Sequence, residues 1–303
     1  MRKVLLPAVI ALFSLMTPAL AQDRVSLGFG RLFTNDAIGD GRDRWRTGAY
    51  AVSLLRGQSW HGDLPQRFGE MLEFRIRSEI IAPANLSNPS KNDRRYAGVI
   101  APGVHTHFAL GRLEARLGAD LVFTGPQTGV SAFQRNVHDL LGMKKPGGLG
   151  NQIPNKVNPT LSGEIGQSFR LGEAAMLRPF AEGQAGVESY VRLGGDLVIG
   201  GFGRGALMLR DPITGQRYWG IEGDSEPGFS LTLGGDVARM FDSEYLPEGG
   251  NVQLRDTRTR LRAGVHWRGE KSEVFYGLTR LGKEFDSQPE AQTVGSVRVK
   301  IRF

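Results

Sequence analysis

The sequence predicts an all-β protein: a transmembrane antiparallel β-barrel of about twelve strands, with a short helix in an extracellular loop. Three observations predict it. Runs of about ten residues alternate polar and apolar along most of the chain, the period of a strand and the length that crosses a bilayer at a tilt. The runs number about twelve, and single-chain bacterial barrels have an even count. The chain closes on one more such run, residues 297–303, ending in the aromatic Phe303.

Met1-Arg2-Lys3 is a basic head, residues 4–16 are mostly apolar, and Pro18-Ala19-Leu20-Ala21 supplies an Ala-x-Ala cleavage site. The apolar run is shorter than the roughly 20 residues of a spanning helix. Residues 1–21 are therefore expected to be a signal peptide cleaved after Ala21, and residues 22–303 a single outer-membrane barrel domain. Losing Arg2 and Lys3 lowers the formal net charge of +7 by two. The chain has no cysteine, which excludes disulfides, thiol nucleophiles and cysteine-based zinc sites.

Residues 25–33 form the first strand candidate, and 35–45, rich in Asp and Gly, a loop before the second at 47–55. In 72–77, Leu72, Phe74 and Ile76 share one face and charges the other. Residues 96–107 follow a polar loop, and 113–121 repeats the alternation. The period then changes: Ala132, Phe133, Val137, Leu140 and Leu141 recur at spacings of three and four, an amphipathic helix. Gly142 is its expected C-terminal cap, and Pro146-Gly147-Gly148 breaks it. Further strands are expected at 160–170, 175–187, 190–200, 228–240, 257–268 and 272–281, with 201–227 an irregular connection. Alternation alone fits a soluble sandwich as well, because the period is silent about which face is wet. In a barrel, Arg258, Arg260, Arg262, Arg298, Lys300 and Arg302 point into the lumen, where Glu73, Glu79, Glu114 and Asp120 are the expected partners.

With the N-terminus in the periplasm, every odd-numbered connection lies outside the cell: 35–45, 83–95 and 124–158 among them. Asn35, Asp36, Lys91, Arg94 and His138 then share one rim. His138 is suited to act as a base near neutral pH, although a lone histidine is more often an ordinary surface residue. Asn35 and Asp36 can orient that base or ligate a hard cation such as calcium, or simply form a turn. Thr47, at the top of the second strand, can line the same pocket.

These residues resemble the outer-membrane lipid A 3′-O-deacylase family. The resemblance lies in Thr34-Asn35-Asp36, Asp43-Arg44-Trp45-Arg46-Thr47-Gly48, Asp93-Arg94-Arg95-Tyr96, and Gln134-x-x-x-His138-x-x-x-Gly142 followed by Gln152-Ile153 and Asn155. It covers the first half of the chain; the second half matches by barrel pattern. The terminal Phe303 likewise resembles the C-terminal assembly signature of outer-membrane proteins. The resemblance implies a twelve-stranded barrel, a loop helix over the rim, and calcium-dependent hydrolysis of an acyl ester of lipid A. It also implies His138 as base, with Asn35, Asp36, Thr47 and Gln134 in the site and Asp36 as metal ligand. Lys91 and Arg94 are the expected substrate contacts. The sequence departs from the family at Lys144, where the family has Glu, and at Leu149, where it has an aromatic.

Lys91, Arg94, Arg95, Arg135, Lys144 and Lys145 make this rim basic, which suits phosphorylated lipid A or the surrounding lipopolysaccharide. Export excludes nucleic acid as partner, and a monomer is expected. His105 and His107 share a strand face with metal-compatible spacing but read as part of a polar face. His61 and His266 carry no pattern. Gly28-x-Gly30 and Gly200-Gly201-Phe202-Gly203 are not nucleotide loops, since neither opens a helix, and no Gly-x-Ser-x-Gly elbow is present. The rival readings are a non-catalytic barrel, porin or structural, and an outer-membrane phospholipase.

Overall fold

The computed structural model describes residues 24–140, 142, 147, 149–223 and 226–301. The expected signal peptide, Leu141, Lys144, Lys145, Pro146, Gly148, Arg302 and Phe303 lie outside them. Successive strands pair antiparallel: β1 (Val25–Asn35), β2 (Trp45–Gly57), β3 (Leu72–Ala82), β4 (Ala97–Leu110), β5 (Leu113–Thr124) and β6 (Lys156–Gly166). A three-residue β7 (Phe169–Leu171) pairs with β8 (Ala175–Ala185), which also pairs with β6 and with β9 (Glu188–Ile199). After a short hairpin, β10 (Leu207–Arg210) and β11 (Arg217–Ile221), the wall resumes. It runs through β12 (Gly228–Ser243), β13 (Thr257–Arg268), β14 (Ser272–Leu281) and β15 (Gln292–Ile301). β15 pairs with β1, Thr34 opposite Ser296, and closes a twelve-stranded barrel.

Side-chain direction settles which face is wet. On β13, Leu261, Val265 and Trp267 point outward and are exposed, whereas Arg258, Arg260, Arg262 and His266 are buried inside. Phe74 and Ile76 on β3, and Leu231 and Leu233 on β12, also face out. A soluble sandwich has the opposite arrangement. An apolar outer band around a charged interior is the pattern of a barrel in lipid.

The lumen is filled. Asp236 takes Arg192, Arg260 and Arg262, while Arg46 reaches Glu79, Glu188 and Glu284. Arg258, Arg260, Arg262 and Arg298 are inside as expected, but their partners differ from those expected from sequence. Arg258 pairs with Glu188 and Arg298 with Glu273. Glu73 meets His107, Glu79 meets Arg46 and Arg77, Glu114 meets Arg178, and Asp120 meets Arg75. Strand stagger and closure choose the partner, and neither is written in the alternation.

The stretch at 201–227, expected to be irregular, instead contains the β10–β11 hairpin, folded up inside the barrel. Leu209, Tyr218, Trp219 and Ile221 pack against Leu32 and Leu55 of the inner wall. The glycines of Gly28-x-Gly30 make room for it: a Cβ at Gly28 would sit 2.1 Å from the Gly220 carbonyl oxygen, and one at Gly30 2.8 Å from that of Trp219. Phe202 stacks on Phe275 and meets Trp219 edge-on, anchoring the hairpin's entry. The expected strand at 160–170 begins earlier and breaks after Gly166, and the last strand begins at Gln292 rather than 297.

Candidate functional site

The helix α1 (Val130–Leu140) lies beside the wall at the end of the barrel bearing the long connections, packed on β3 and β4. It begins after Gly129, at φ 71°, and its start fits closely over β4, since a Cβ on Gly98 would lie 2.8 Å from that of Val130. Gly142 takes φ 66° and donates its N–H to the Asp139 carbonyl, as the sequence predicts for a cap. The buried stripe is Val130, Gln134 and His138, four residues apart. Phe133 and Leu140, apolar positions of the predicted amphipathic pattern, point away from the barrel and are 64% and 84% exposed. The polar face thus packs on the protein and the apolar face looks outward, the inverse of a soluble helix, because the surrounding medium is lipid.

His138 is buried, and its Nε2 lies 3.2 Å from Oδ2 of Asp43. The other oxygen of Asp43 accepts the Thr47 hydroxyl at 2.6 Å, and that hydroxyl is also 2.9 Å from Oδ1 of Asp36. One hydroxyl proton cannot serve both carboxylates, so one of them must return a proton to Thr47. Burial, with smaller contributions from Asp43 and Asp40, pushes Asp36 up to about 7, which makes it that donor below neutral pH. Oδ2 of Asp36 accepts the Arg44 N–H at 2.8 Å and the Gln292 amide at 3.3 Å. Asp36, Thr47 and Asp43 form one hydrogen-bonded chain, and His138 lies in ion-pair contact with its Asp43 end.

The loop that carries it is held rigidly. Trp45 takes φ 48°, rare for a bulky residue, and Arg44 stacks 4.2 Å from the centroid of its ring while reaching Asp40 and Glu290. Glu290, bonded by Arg44 and Arg42, is held below the usual carboxylate range. Gln292 accepts the Arg46 N–H and donates to the Arg44 carbonyl. Oδ1 of Asn35 caps the Ala37 N–H, and its amide nitrogen is turned toward Gly48.

Beside this chain lies a cleft of about 440 Å³ between α1 and the barrel wall. Asn35, Asp36, Thr47, Gln134 and His138 all line it, with Asp43, Arg42, and the apolar Phe33, Tyr50, Ile80, Phe133 and Val137. Lys91 and Arg94, expected with them, are not among the lining residues. Lys91 sits exposed in a turn of the second outer loop, and Arg94 is buried, donating to Glu284. The rim is a ring, and this part of it folds inward over the lumen rather than sideways over the cleft. Asp43 stood in the Asp43–Gly48 motif without a role assigned to it, and Gln292 was not singled out from sequence. The spacing of Asp43 from Thr47 held a weak signal; Gln292 held none, because it reaches the site only through β1–β15 closure. His105 and His107 are buried on Asp120 and Glu73.

The donors suit a hard cation in kind. Asp36, Asp40 and Asp43 supply carboxylates from one loop, and Oδ1 of Asp40 is buried with no hydrogen-bond partner among the described residues. Among the described residues no three His, Cys, Asp or Glu side chains are preassembled as a metal cluster. A cation here would draw its remaining ligands from backbone oxygens, water or substrate.

No curated protein matches the chain significantly. Among solved structures, it is similar to LpxR from Salmonella typhimurium, at 17% identity over 91% of this chain and 100% of that one, with a TM-score of 0.75. It is similar at a lower level to an outer membrane channel from Pseudomonas putida F1, at 13% identity over 92% and 96% with a TM-score of 0.43. The NanC porin stands at 7% over 91% and 100%, TM-score 0.41. The family model described as outer membrane protein LpxR matches residues 6–303, nearly the whole length, so the chain belongs to the LpxR family of outer-membrane proteins.

Proposed function

We propose that this protein is a lipid A deacylase of the outer membrane, hydrolysing the 3′-linked acyl ester with water activated by His138. The observation that carries the reading is the helix-borne His138 held on Asp43 at the side of an apolar cleft that opens between α1 and the lipid-facing wall. Such a cleft admits an acyl chain laterally from the outer leaflet while the sugar remains at the rim.

The proposed base is the His138 imidazole, oriented by Asp43 at 3.2 Å from its Nε2. It takes a proton from water as the water oxygen attacks the ester carbonyl carbon. The tetrahedral intermediate expels the sugar oxygen, which recovers the proton from the imidazolium, giving free fatty acid and a sugar hydroxyl. The Asn35 amide, turned toward Gly48 on the cleft floor, is the proposed donor to the oxyanion. Gln134, one turn before His138, supports the helix face. Asp36 and Asp43 are the proposed carboxylate ligands of calcium, which when bound would polarise the ester carbonyl. Arg42 on the cleft wall is better placed than Lys91 or Arg94 to meet a lipid A phosphate. Cleavage after Ala21 and a monomeric barrel complete the proposal.

A porin does not suit a lumen filled by the β10–β11 hairpin and by buried ion pairs. The deciding experiment records lipid A mass spectra from a deacylase-free bacterium expressing the wild type or His138→Ala. Loss of a 3′-acyl group with wild type alone supports the reading. Unchanged lipid A with a folded, surface-exposed barrel overturns it, and chain loss confined to glycerophospholipid reassigns the protein as a phospholipase.

A further inference from the structure

At the end of the barrel opposite α1, where the connections after β4, β6 and β13 are short turns, the lumen widens into a vestibule of about 840 Å³ between the infolded hairpin and the wall. Short turns mark the periplasmic end. The vestibule is far richer in arginine than its own ion pairs require. Arg178 is neutralised by Glu114 and Glu164, and Arg210 by Glu164 and Asp196. Arg217 has no such partner among the described residues. It stands directly across the hairpin ladder from Arg210, and the charges that act on it are Arg178, Asp196, Arg210 and Glu114. Each of those carboxylates already serves another arginine.

Like charges opposite each other on a ladder are unfavourable, and an unpaired guanidinium inside a barrel more so. A residue kept there for packing alone would do better as glutamine or leucine. Arg112 and Arg170 project into the same space with no carboxylate partner among the described residues, and Arg204 donates only to a backbone carbonyl, that of Glu173. The free acids on the wall, Asp63 and Glu173, sit at the exposed lip, away from the floor that Arg217 occupies. The result is a cavity open to the periplasm, positively charged at its base, and large enough for a molecule of several tens of heavy atoms.

We propose that this vestibule binds a small soluble oxyanion from the periplasm, a phosphorylated or polycarboxylate solute, with Arg217 as its principal contact. The guanidinium fork matches either group bidentately. The anion would also neutralise the Arg210–Arg217 repulsion and so tighten the hairpin inside the barrel. The site is independent of the α1 cleft and does not rest on the deacylase reading.

The purified barrel in zwitterionic detergent is titrated calorimetrically with glycerol phosphate and with citrate, and its melting is followed with each. Sodium chloride at equal ionic strength is the control. Saturable heat and a raised melting temperature are expected with one or both anions; phosphate alone would identify a phosphoryl ligand, and both would identify the shared oxyanion chemistry. Arg217→Gln is expected to weaken binding at least tenfold while melting at or above the wild type without ligand, since it removes a repelled charge. Arg217→Lys, which keeps the charge without the fork, should fall between. The proposal fails if neither anion gives saturable heat, if chloride reproduces the effect, or if Arg217→Gln binds like wild type. It fails too if Arg217→Gln destabilises the ligand-free barrel, which would mark Arg217 as a structural residue.

Discussion

Asp36 titrates at about 7 because its carboxylate is buried and faces Asp43 and Asp40. Its folded pKa lies above the usual carboxylate value, so it binds its proton more tightly folded than unfolded. That contribution to stability is complete below about pH 4 and is lost as pH rises through about 7. Asn at this position can donate to Thr47 and accept from Arg44 and Gln292. Asp36→Asn should therefore keep the fold, flatten the fall in melting temperature between pH 5 and pH 8, and abolish a step near pH 7 in the deacylation profile. An unchanged slope would place the titrating group elsewhere. Asp43 is proposed to orient His138, so Asp43→Asn should cut deacylation by about 10²–10⁴-fold at wild-type stability. If Asp36 and Asp43 hold calcium, chelation should abolish the activity and calcium alone restore it. Calcium uptake should then release protons below pH 7, as Asp36 ionises; chelator-insensitive turnover would remove the metal from the mechanism.

Two elements depend on glycine for reasons of space. The hairpin comes so close to β1 that Gly28→Val would drive a side chain into the Gly220 carbonyl, for which a Cβ alone is already at 2.1 Å. That variant is expected to assemble as a barrel but with the hairpin displaced, so steady ion conductance should appear in planar bilayers where the wild type shows little. Equal conductance in both would mean that the hairpin does not block the lumen. α1 shows how the medium decides an orientation. Its sequence period announces a helix with one apolar face, and on a soluble protein that face would turn inward. Here Gln134 and His138 turn inward and Phe133 and Leu140 outward, because the barrel offers polar rim groups and the outside offers lipid.

Across the whole molecule, buried charge replaces the apolar core of a soluble protein. Asp236 compensates Arg192, Arg260 and Arg262 together, and removing it leaves three guanidinium groups in one enclosed region. Asp236→Asn is expected to cost about 3–5 kcal/mol, read as a lower denaturant or thermal midpoint of the detergent-solubilised barrel. A change under 1 kcal/mol would mean that water in the small adjoining cavities screens the cluster. Those cavities are lined by arginines, and Nε and Nη2 of Arg258 and Nη2 of Arg260 have no hydrogen-bond partner among the described residues.

Local pattern in the sequence determined the barrel class, the even strand count, the helix in the third outer loop, and the rim address of Asn35, Asp36, Thr47, Gln134 and His138. Each rests on period or adjacency, which a chain carries without knowing its fold. The tertiary structure decided what depends on closure. β15 lies against β1 only in the closed barrel, which brings Gln292 to Asp36 across 256 positions. The stagger of the strands gives Arg258 to Glu188 and Arg298 to Glu273 rather than to the acids of β3 and β5. Infolding of the β10–β11 hairpin turned a stretch without clear alternation into the plug, because its partner surface is the inner wall and not a neighbouring strand. Arg94 and Lys91 share the rim with His138 in sequence logic but not the cleft, since topology fixes height along the barrel axis and only three-dimensional packing fixes position around it.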